Sequence, residues 1–468
     1  MEVLNYIYQL LLGTRPVFTV FGLDIPLLVL ILIPVGLYFT VRTKFLPVRM
    51  FPEMLRISVE KNEKKKGGLS GWQALIVSTA TRVGMGNMAG VVAAVSLGGA
   101  GAVFWMWVTA LIGSATAYIE GTLAQMYNED DPLYGGKRGG PAYYIHKLFA
   151  GKKKKSVIAI LFAVSALVCW CGVSQIASNS VTDAFHSAFS IAPWITSAVL
   201  TVLAAVIVLR KNATVKVLDV MVPIMAAAYF VITLVIIALN ITQIPAVFTR
   251  IFEEAFGLRQ MVAGGFGGAL MFGVKRGLFS NEAGSGSAPC AAAAGEVSHP
   301  AKSGLFQALG VIIDTIVICT CTAMLVLLAP ESVTAGVEGM GLLQSAMFHH
   351  LGTFGVIFTA ITLFLFCFST FIGILYYARS NVAYLCGDNW WSQTAYKVLA
   401  LVMLFIGGIA RPSFVWDLGD LGIALMTIFN MMALLPMGGQ AIKALNDYNN
   451  IRKKTCRKAD TTREADIT

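Results

Sequence analysis

The sequence predicts an all-α, polytopic membrane protein of about eleven spans: two inverted blocks of five helices behind one additional N-terminal helix. Three observations carry this. Of the 468 residues, 57% are hydrophobic and only 13% are charged, against ~25% charged in a soluble domain. Apolar runs long enough to cross ~30 Å of hydrocarbon recur along most of the length, with the basic residues gathered on alternate sides of them. Two spans half a chain apart carry polar, glycine-rich interruptions that no lipid-facing helix centre would choose.

In order, the spans are read at about 21–41, 71–98, 102–126, 157–183, 192–209, 214–239, 260–292, 303–329, 353–384, 395–410 and 417–440. The first 20 residues hold Glu2 and Arg15 but no basic stretch followed by a cleavage site, so the first span reads as a retained helix. Of the 35 Lys and Arg, 28 fall in the loops 42–70, 127–156, 210–216, 293–302, 379–397 and 443–468. Only Arg15, Arg250, Arg259 and Arg411 fall on the opposite side. The positive-inside rule makes the rich side cytoplasmic. The N-terminus is then outside and the C-terminus inside, in the cell membrane (the inner membrane of a bacterium).

The net charge of +10 is therefore a topology signal and not a nucleic-acid-binding face. The runs Lys64–Lys66 and Lys152–Lys155 read as anchors at the membrane surface. Pro47–Glu60 and Gln243–Gly257 alternate apolar and charged residues and read as surface helices. The tail from Asn446, rich in Lys, Arg, Asp and Thr, reads as disordered. These boundaries divide the chain at 1–42, 43–70, 71–240, 241–259, 260–442 and 443–468.

Several chemistries are disfavoured. The eight cysteines contain no CxxC and fall in spans or on the cytoplasmic side, so no disulfide framework is implied. The five histidines show no metal-ligand spacing, and neither HExxH, GxSxG nor a P-loop occurs. An intramembrane enzyme, an ATP-driven pump and a cofactor-dependent reaction are disfavoured accordingly.

The first interruption is Ser78–Gly90, with Arg82, Gly84, Gly86 and Asn87 between apolar flanks. Two glycines one residue apart weaken a helix by ~1 kcal/mol each relative to alanine. Unwound backbone at membrane depth survives only where protein or a water-filled cavity satisfies it. A kinked helix with small residues for close packing would give a similar pattern. The second interruption lies in 260–292. Its first thirteen residues make only ~20 Å of helix, and Lys275, Arg276, Asn281 and Glu282 follow among glycines. Each interrupted span opens a block of five helices. Five being odd, the blocks are inverted, which is the sequence signature of a transporter's central site and of the LeuT-like 5 + 5 arrangement.

At this point the residues match a family. The stretch from Gly98-Gly99-Ala100-Gly101 through Phe104-Trp105-Met106-Trp107 to Gly113 resembles the signature of the sodium:alanine (alanine or glycine:cation) symporter family. Arg82–Asn87, Gly139–Tyr144 and Gly273–Pro289 resemble it too, so that the likeness covers roughly 65–440. It implies the LeuT fold and secondary active import of a small neutral, alanine- or glycine-like amino acid in symport with Na⁺. Alternating access would run about the two broken helices.

A zwitterion needs partners at both ends. The N–H groups of Gly84, Met85, Gly86 and Asn87, with Thr81 beside them, are candidates for its carboxylate. Carbonyls freed at Phe272, Gly273 and Val274 are candidates for its ammonium. Gln175 and Asn179, one turn apart, are polar partners or interhelical hydrogen-bonding glue. By resemblance to the fold's shared sodium site, the carbonyls of Ala80, Val83 and Phe366 would join Ser369 and Thr370 around Na⁺. Arg82, buried at midplane depth, is expected to pair with Glu282 or Asp314. Met85 stands where threonine is frequent in the family, Ala177 where glutamine often sits, and Arg82 where small residues occur. The amino acid thus stays open, and so do a proton-coupled carrier acting through Asp314 and a passive channel. The expected partners are the amino acid, Na⁺ and the lipid bilayer; no oligomeric state follows.

Overall fold

The computed structural model describes residues 9–12, 18–20, 23–60, 69–151, 155–210, 213–258 and 265–465. The runs Lys64–Lys66 and Lys152–Lys154, and the expected start of the seventh span at 260–264, lie outside the described residues.

The described chain is almost wholly helical. Helix α1 is Leu27–Arg42 and α2, a surface helix, is Phe51–Val59. The second span divides into α3, Gly71–Arg82, and α4, Val91–Gly98, joined through a widened turn at Gly86–Gly90. Then follow α5 (Gly101–Met126), α6 (Pro141–Phe149), α7 (Val157–Phe189), α8 (Pro193–Val208) and α9 (Ala213–Leu239). Helix α10, Ile244–Ala255, is the second surface helix, and α11 is Gly265–Asn281. Helix α12, Pro300–Leu327, contains a widened stretch at Ile312–Cys319. It is followed by α13 (Met340–Leu351), α14 (Thr353–Cys386), α15 (Trp390–Gly407) and α16 (Pro412–Ala465).

Six segments are long and apolar enough to cross a membrane: α5, α7, Val220–Leu239 of α9, α12, α14 and Phe414–Lys454 of α16. The shorter apolar helices Leu27–Arg42, Gly86–Gly98 and Pro193–Val208 accompany them. This is a multi-pass membrane protein. Its breaks and ends follow local chemistry. Ser156 and Asn389 cap α7 and α15 through the N–H groups of Ala159 and Trp391. Gly352 and Gly387, both at positive φ, bound α14. Helix α7 is the central post, packed by α14, α15 and α16, while α5 is gripped by α11 and α12.

Three local findings differ from the sequence reading. The tail is not disordered from Asn446: α16 continues to Ala465. Its register lets Tyr448 and Arg452 reach Glu53 of α2, at 2.5 Å and 3.1 Å. Helices α6 and α13 were not anticipated. The largest difference concerns the second interruption. Helix α11 runs unbroken through Phe272, Gly273 and Val274, and the chain unwinds at 282–288 instead. Glu282, Gly284 and Gly286 take φ of 56°, 94° and 85° there, which no helix accommodates. Glycines earlier in α11 serve contact: a Cβ on Gly273 would lie 2.5 Å from the Trp105 Cβ and 2.6 Å from the Ala102 carbonyl oxygen.

Short β pairs trim the ends. Phe18–Val20 and Leu23–Ile25 form an antiparallel hairpin. Leu69–Ser70, just before α3, pairs in parallel with Gly295–Glu296, just after the second unwound segment.

Candidate functional site

The two unwound segments meet at the centre of the molecule. After Arg82 the backbone turns at 83–85: the Gly84 N–H reaches the Arg82 carbonyl and also the Asn87 side-chain oxygen at 2.8 Å. The Met85 N–H reaches the Thr370 hydroxyl at 3.3 Å. Gly84 is needed for this approach, since a Cβ there would fall 1.9 Å from Thr370 Oγ1. Gly86 lies against the other break, and its Cβ would be 3.0 Å from the Ser280 Cα.

Between the breaks lies a cavity of about 20 Å³, room for a single water-sized occupant. Thr81, Met85, Gly86, Glu282, Ser287 and Thr370 are its polar or backbone-presenting lining, while Trp170, Val173, Phe279 and Ile423 are on its apolar side. A vestibule of about 660 Å³ lies beyond it, lined at the mouth by Pro193, Glu338 and Pro412 and at the floor by Lys275, Arg276, Trp416 and Asp420. The partition between the two spaces is compact. Phe279 and Trp416 touch with ring centroids 5.2 Å apart, and the Arg276 guanidinium stacks over Trp416 at 4.1 Å. Arg276 is clamped in turn by two 3.1 Å hydrogen bonds to Asp420, which Lys275 also meets at 2.7 Å.

The sequence candidates fall into place unevenly. Thr370 and Ser369 both donate to the Phe366 carbonyl, at 2.9 Å and 2.8 Å, so that Thr370 carries neutral oxygens to the edge of the 83–85 turn. Ala80 lies on the last turns of α3 just before it, and Val83 within the turn. Gln175 lines neither space, and Asn179 lines the vestibule but not the inner cavity. Gln175 Nε2 points to Met403 of α15, and Asn179 Nδ2 holds the Gly407 and Ala410 carbonyls at 3.0 Å and 2.9 Å. Small residues let α7 and α15 touch backbone to backbone here, which draws these amides sideways: a Cβ on Gly407 would be 2.3 Å from the Gln175 Cα.

Arg82 is fully buried but makes no ion pair among the described residues. Its Nε donates to the Asn281 carbonyl at 2.8 Å, and Nη1 to the Gln307 carbonyl and side-chain oxygen at 3.3 Å and 3.1 Å. The expected direct pairing with Glu282 or Asp314 is replaced by carbonyl capture, because the carbonyl ending α11 is freed by the break and needs a donor. Asp314 is instead enclosed by neutral donors: Asn87 Nδ2 at 2.7 Å, Thr315 Oγ1 at 2.8 Å and Ser280 Oγ at 2.9 Å. Asn87 therefore spends its side chain tying the first break to α12, and its own N–H bonds the Gly84 carbonyl.

One buried acid escaped the sequence reading. Glu120, on α5, accepts the Gly284 N–H at 2.9 Å and the Asn430 amide at 2.5 Å, and Asn430 Nδ2 also holds the Gly284 carbonyl at 2.9 Å. It is the support of the second break. A lone acid in the apolar run of a span was the available signal.

Comparison with known proteins is consistent with this geometry. The model of the "Sodium:alanine symporter family" matches residues 17–463. The Amino-acid carrier protein AlsT of Bacillus subtilis (strain 168) is 42% identical, over 91% of this chain and 90% of its own. The Sodium/alanine symporter AgcS of Methanococcus maripaludis is 35% identical, over 93% and 96%. Among solved structures, a Na⁺-coupled sialic acid symporter in a substrate-bound outward-open state is similar with a TM-score of 0.50 at 14% identity, covering 89% of this chain and 84% of that one. A manganese transporter of Eremococcus coleocola is similar with a TM-score of 0.51 at 12% identity, over 80% and 79%. At such identities these two speak to the fold alone, which is LeuT-like. The match over nearly the whole length, with relatives well above 30% identity, means that this chain belongs to the sodium:alanine symporter family, a family of membrane transporters and not of enzymes.

Proposed function

We propose that the protein imports a small neutral amino acid together with Na⁺, exposing the cavity between its two breaks alternately to either side of the membrane. The carrying observation is that cavity: two unwound helices face each other around it, and Thr370 of α14 bonds the first of them. Three relatives support the cargo class, their names being an amino-acid carrier, a probable sodium/glutamine symporter and a sodium/alanine symporter. Because those names differ in amino acid, the choice falls to the cavity's apolar side, where Trp170, Val173 and Ile423 favour a short, uncharged side chain.

The N–H groups of Gly84–Asn87 are the assigned donors for the carboxylate; in this closed conformation those of Gly84, Met85 and Asn87 are held by Asn87 Oδ1, the Thr370 hydroxyl and the Gly84 carbonyl, bonds that opening has to exchange for the carboxylate. The Na⁺ ligands are the Ala80, Val83 and Phe366 carbonyls with the Ser369 and Thr370 hydroxyls, a set of neutral oxygens suited to a hard cation. A cavity of about 20 Å³ is too small for an amino acid, so this conformation is a closed one from which the partition at Phe279, Trp416 and Arg276–Asp420 must swing aside. By the charge distribution the vestibule faces outward, and α2, α6 and the end of α16 face the cytoplasm of the cell.

The test is uptake into proteoliposomes. Glycine, alanine, serine and glutamine are each offered under an imposed Na⁺, Li⁺ or H⁺ gradient. Accumulation above equilibrium that follows Na⁺ is expected. Accumulation that follows H⁺ alone, or mere equilibration under every gradient, would replace the reading with a proton-coupled carrier or a channel.

A further inference from the structure

Of the three buried acids near the breaks, two are satisfied and one is not. Glu120 takes the Gly284 N–H and the Asn430 amide, and Asp314 takes Asn87, Ser280 and Thr315. Glu282 is only 8% exposed, yet its carboxylate has a single hydrogen bond among the described residues, from Thr81 Oγ1 at a weak 3.5 Å. Even that contact is contested. The Thr81 hydroxyl has one proton, and it lies 2.9 Å from the Ser78 carbonyl and 2.5 Å from the Tyr377 hydroxyl. A buried carboxylate left without donors is strongly disfavoured as the anion unless a proton, a cation or a ligand completes it.

Among the described residues, Glu282 is also the one acidic residue that lines the inner cavity. Its backbone sits at φ 56°, a conformation rare outside glycine, and such residues persist mainly where function holds them. It follows directly on Asn281, the last residue of α11, where the helix dipole presents its negative end. Across the cavity, the turn leads into Gly86–Gly90 and α4, whose start is the positive end of the helix dipole. The two ends are adjacent, since Gly86 packs on Ser280. A zwitterion laid between them has one orientation: carboxylate to the first break, ammonium to the second.

We propose that Glu282 is the receptor for the substrate's α-ammonium group, making the site demand a free amine and not merely a small carboxylate. This rests on the symporter reading above, and it takes over the role that the helical backbone at Phe272–Val274 cannot fill. The ammonium brings the missing donors, and one N–H of it would lie between Glu282 and the Ser287 hydroxyl, which lines the same cavity.

The test measures binding to the purified protein in Na⁺, with radiolabelled L-alanine as probe and L-lactate, which carries a hydroxyl in place of the ammonium, as competitor. Wild type should bind alanine and resist lactate. In Glu282→Gln, alanine should bind about 10- to 100-fold more weakly, the span expected for losing a charge-assisted hydrogen bond, and the preference for alanine over lactate should collapse. Binding of radiolabelled Na⁺, measured without amino acid, should persist, and a monodisperse elution profile with a wild-type melting temperature reports separately that the variant is folded. Should Glu282→Gln not fold, Glu282→Asp carries the test, because a carboxylate one methylene short should keep Na⁺ binding and lose part of the preference. Unchanged alanine–lactate preference in either folded variant overturns the assignment. So does loss of Na⁺ binding in parallel, which would make Glu282 an ion ligand, or loss of nothing but the pH dependence of uptake, which would make it a proton site. Wild type that binds none of glycine, alanine, serine and glutamine sinks the symporter reading itself and this assignment with it, a failure read before any variant is assayed.

Discussion

Gly84 and Gly90 belong to one interrupted segment, yet the structure asks different things of them. A Cβ on Gly84 collides with the Thr370 hydroxyl, whereas one on Gly90 meets nothing within 4 Å. Gly84→Ala should therefore abolish Na⁺-dependent uptake, and Gly90→Ala should leave it near wild type, as proteoliposome assays of the pair would show. Thr370 itself offers a neutral oxygen. Removing one neutral ligand of several should weaken Na⁺ without redirecting it, so Thr370→Ala should raise the Na⁺ needed for half-maximal uptake by about three- to tenfold. Substrate affinity should fall in parallel, since coupling between two bound species is reciprocal. Arg82 makes a contrasting case. Its donors serve the carbonyls of Asn281 and Gln307, so no acid is its exclusive partner and a charge swap with Glu282 or Asp314 should not rescue Arg82→Ala. What that variant loses is the tie between the two breaks, and a drop in thermal stability should accompany loss of transport. The cost should be about 2–4 kcal/mol for buried carbonyls stripped of a donor and a large side chain removed. Transport restored by the swap would contradict the carbonyl geometry.

At the scale of elements, the partition between vestibule and cavity is a layer of two rings and one clamped guanidinium. Trp416→Ala should thin it. In a background retaining Cys169 as the sole cysteine, a residue that lines the inner cavity, a small water-soluble thiol reagent should then label Cys169 several-fold faster, and equal labelling in variant and parent would place the barrier elsewhere. The breaks on either side of this layer were not equally legible in the sequence. The first could be read because Arg82 and Asn87 interrupt an apolar run within a few residues of two glycines. In the second, the glycines point to freed backbone at Phe272–Val274 where the helix is intact, for a physical reason: glycine reports close approach of backbones as readily as unwinding. Gly273 is where α11 presses on Ala102 and Trp105, while the true unwinding needs the left-handed turns at Glu282, Gly284 and Gly286. Glu120 was missed because what gives it meaning, Gly284 and Asn430, lies 164 and 310 residues away. Spacing also put Gln175 and Asn179 on a common face correctly, but only tertiary contact reveals that α15 occupies that face.

For the whole molecule, the basic end is tied together by polar contacts between distant parts. Glu53 of α2 joins Arg56, Tyr448 and Arg452. Burial alone would raise its carboxyl, but the hydrogen bonds from Arg56 and Tyr448 and the charges of Arg56 and Arg452 outweigh that and hold it below its ordinary value. A depressed carboxyl stabilises the folded arrangement above its unfolded pKa and ceases to do so as pH falls through the folded one. Docking of the end of α16 should thus be complete at neutral pH and lost only on strong acidification. At neutral pH, Glu53→Gln should release it, with trypsin cutting at Lys453 and Lys454 about tenfold faster, in proportion to the open population; an unchanged rate would show that other contacts hold the helix. The parallel pairing of Leu69–Ser70 with Gly295–Glu296 bears on a different question. It joins the residues entering the first interrupted helix to those leaving the second, so neither can travel far at this end without the other. If the pairing survives the transport cycle, both helices pivot as one lever and every opening toward this end is a rocking of the pair against α5, α7 and α14. If it parts, it works as a clasp whose release sets when cargo can leave. A disulfide between Ser70→Cys and Glu296→Cys, which face each other in the register, separates the two: a lever still turns over with its clasp welded shut, and a latch does not.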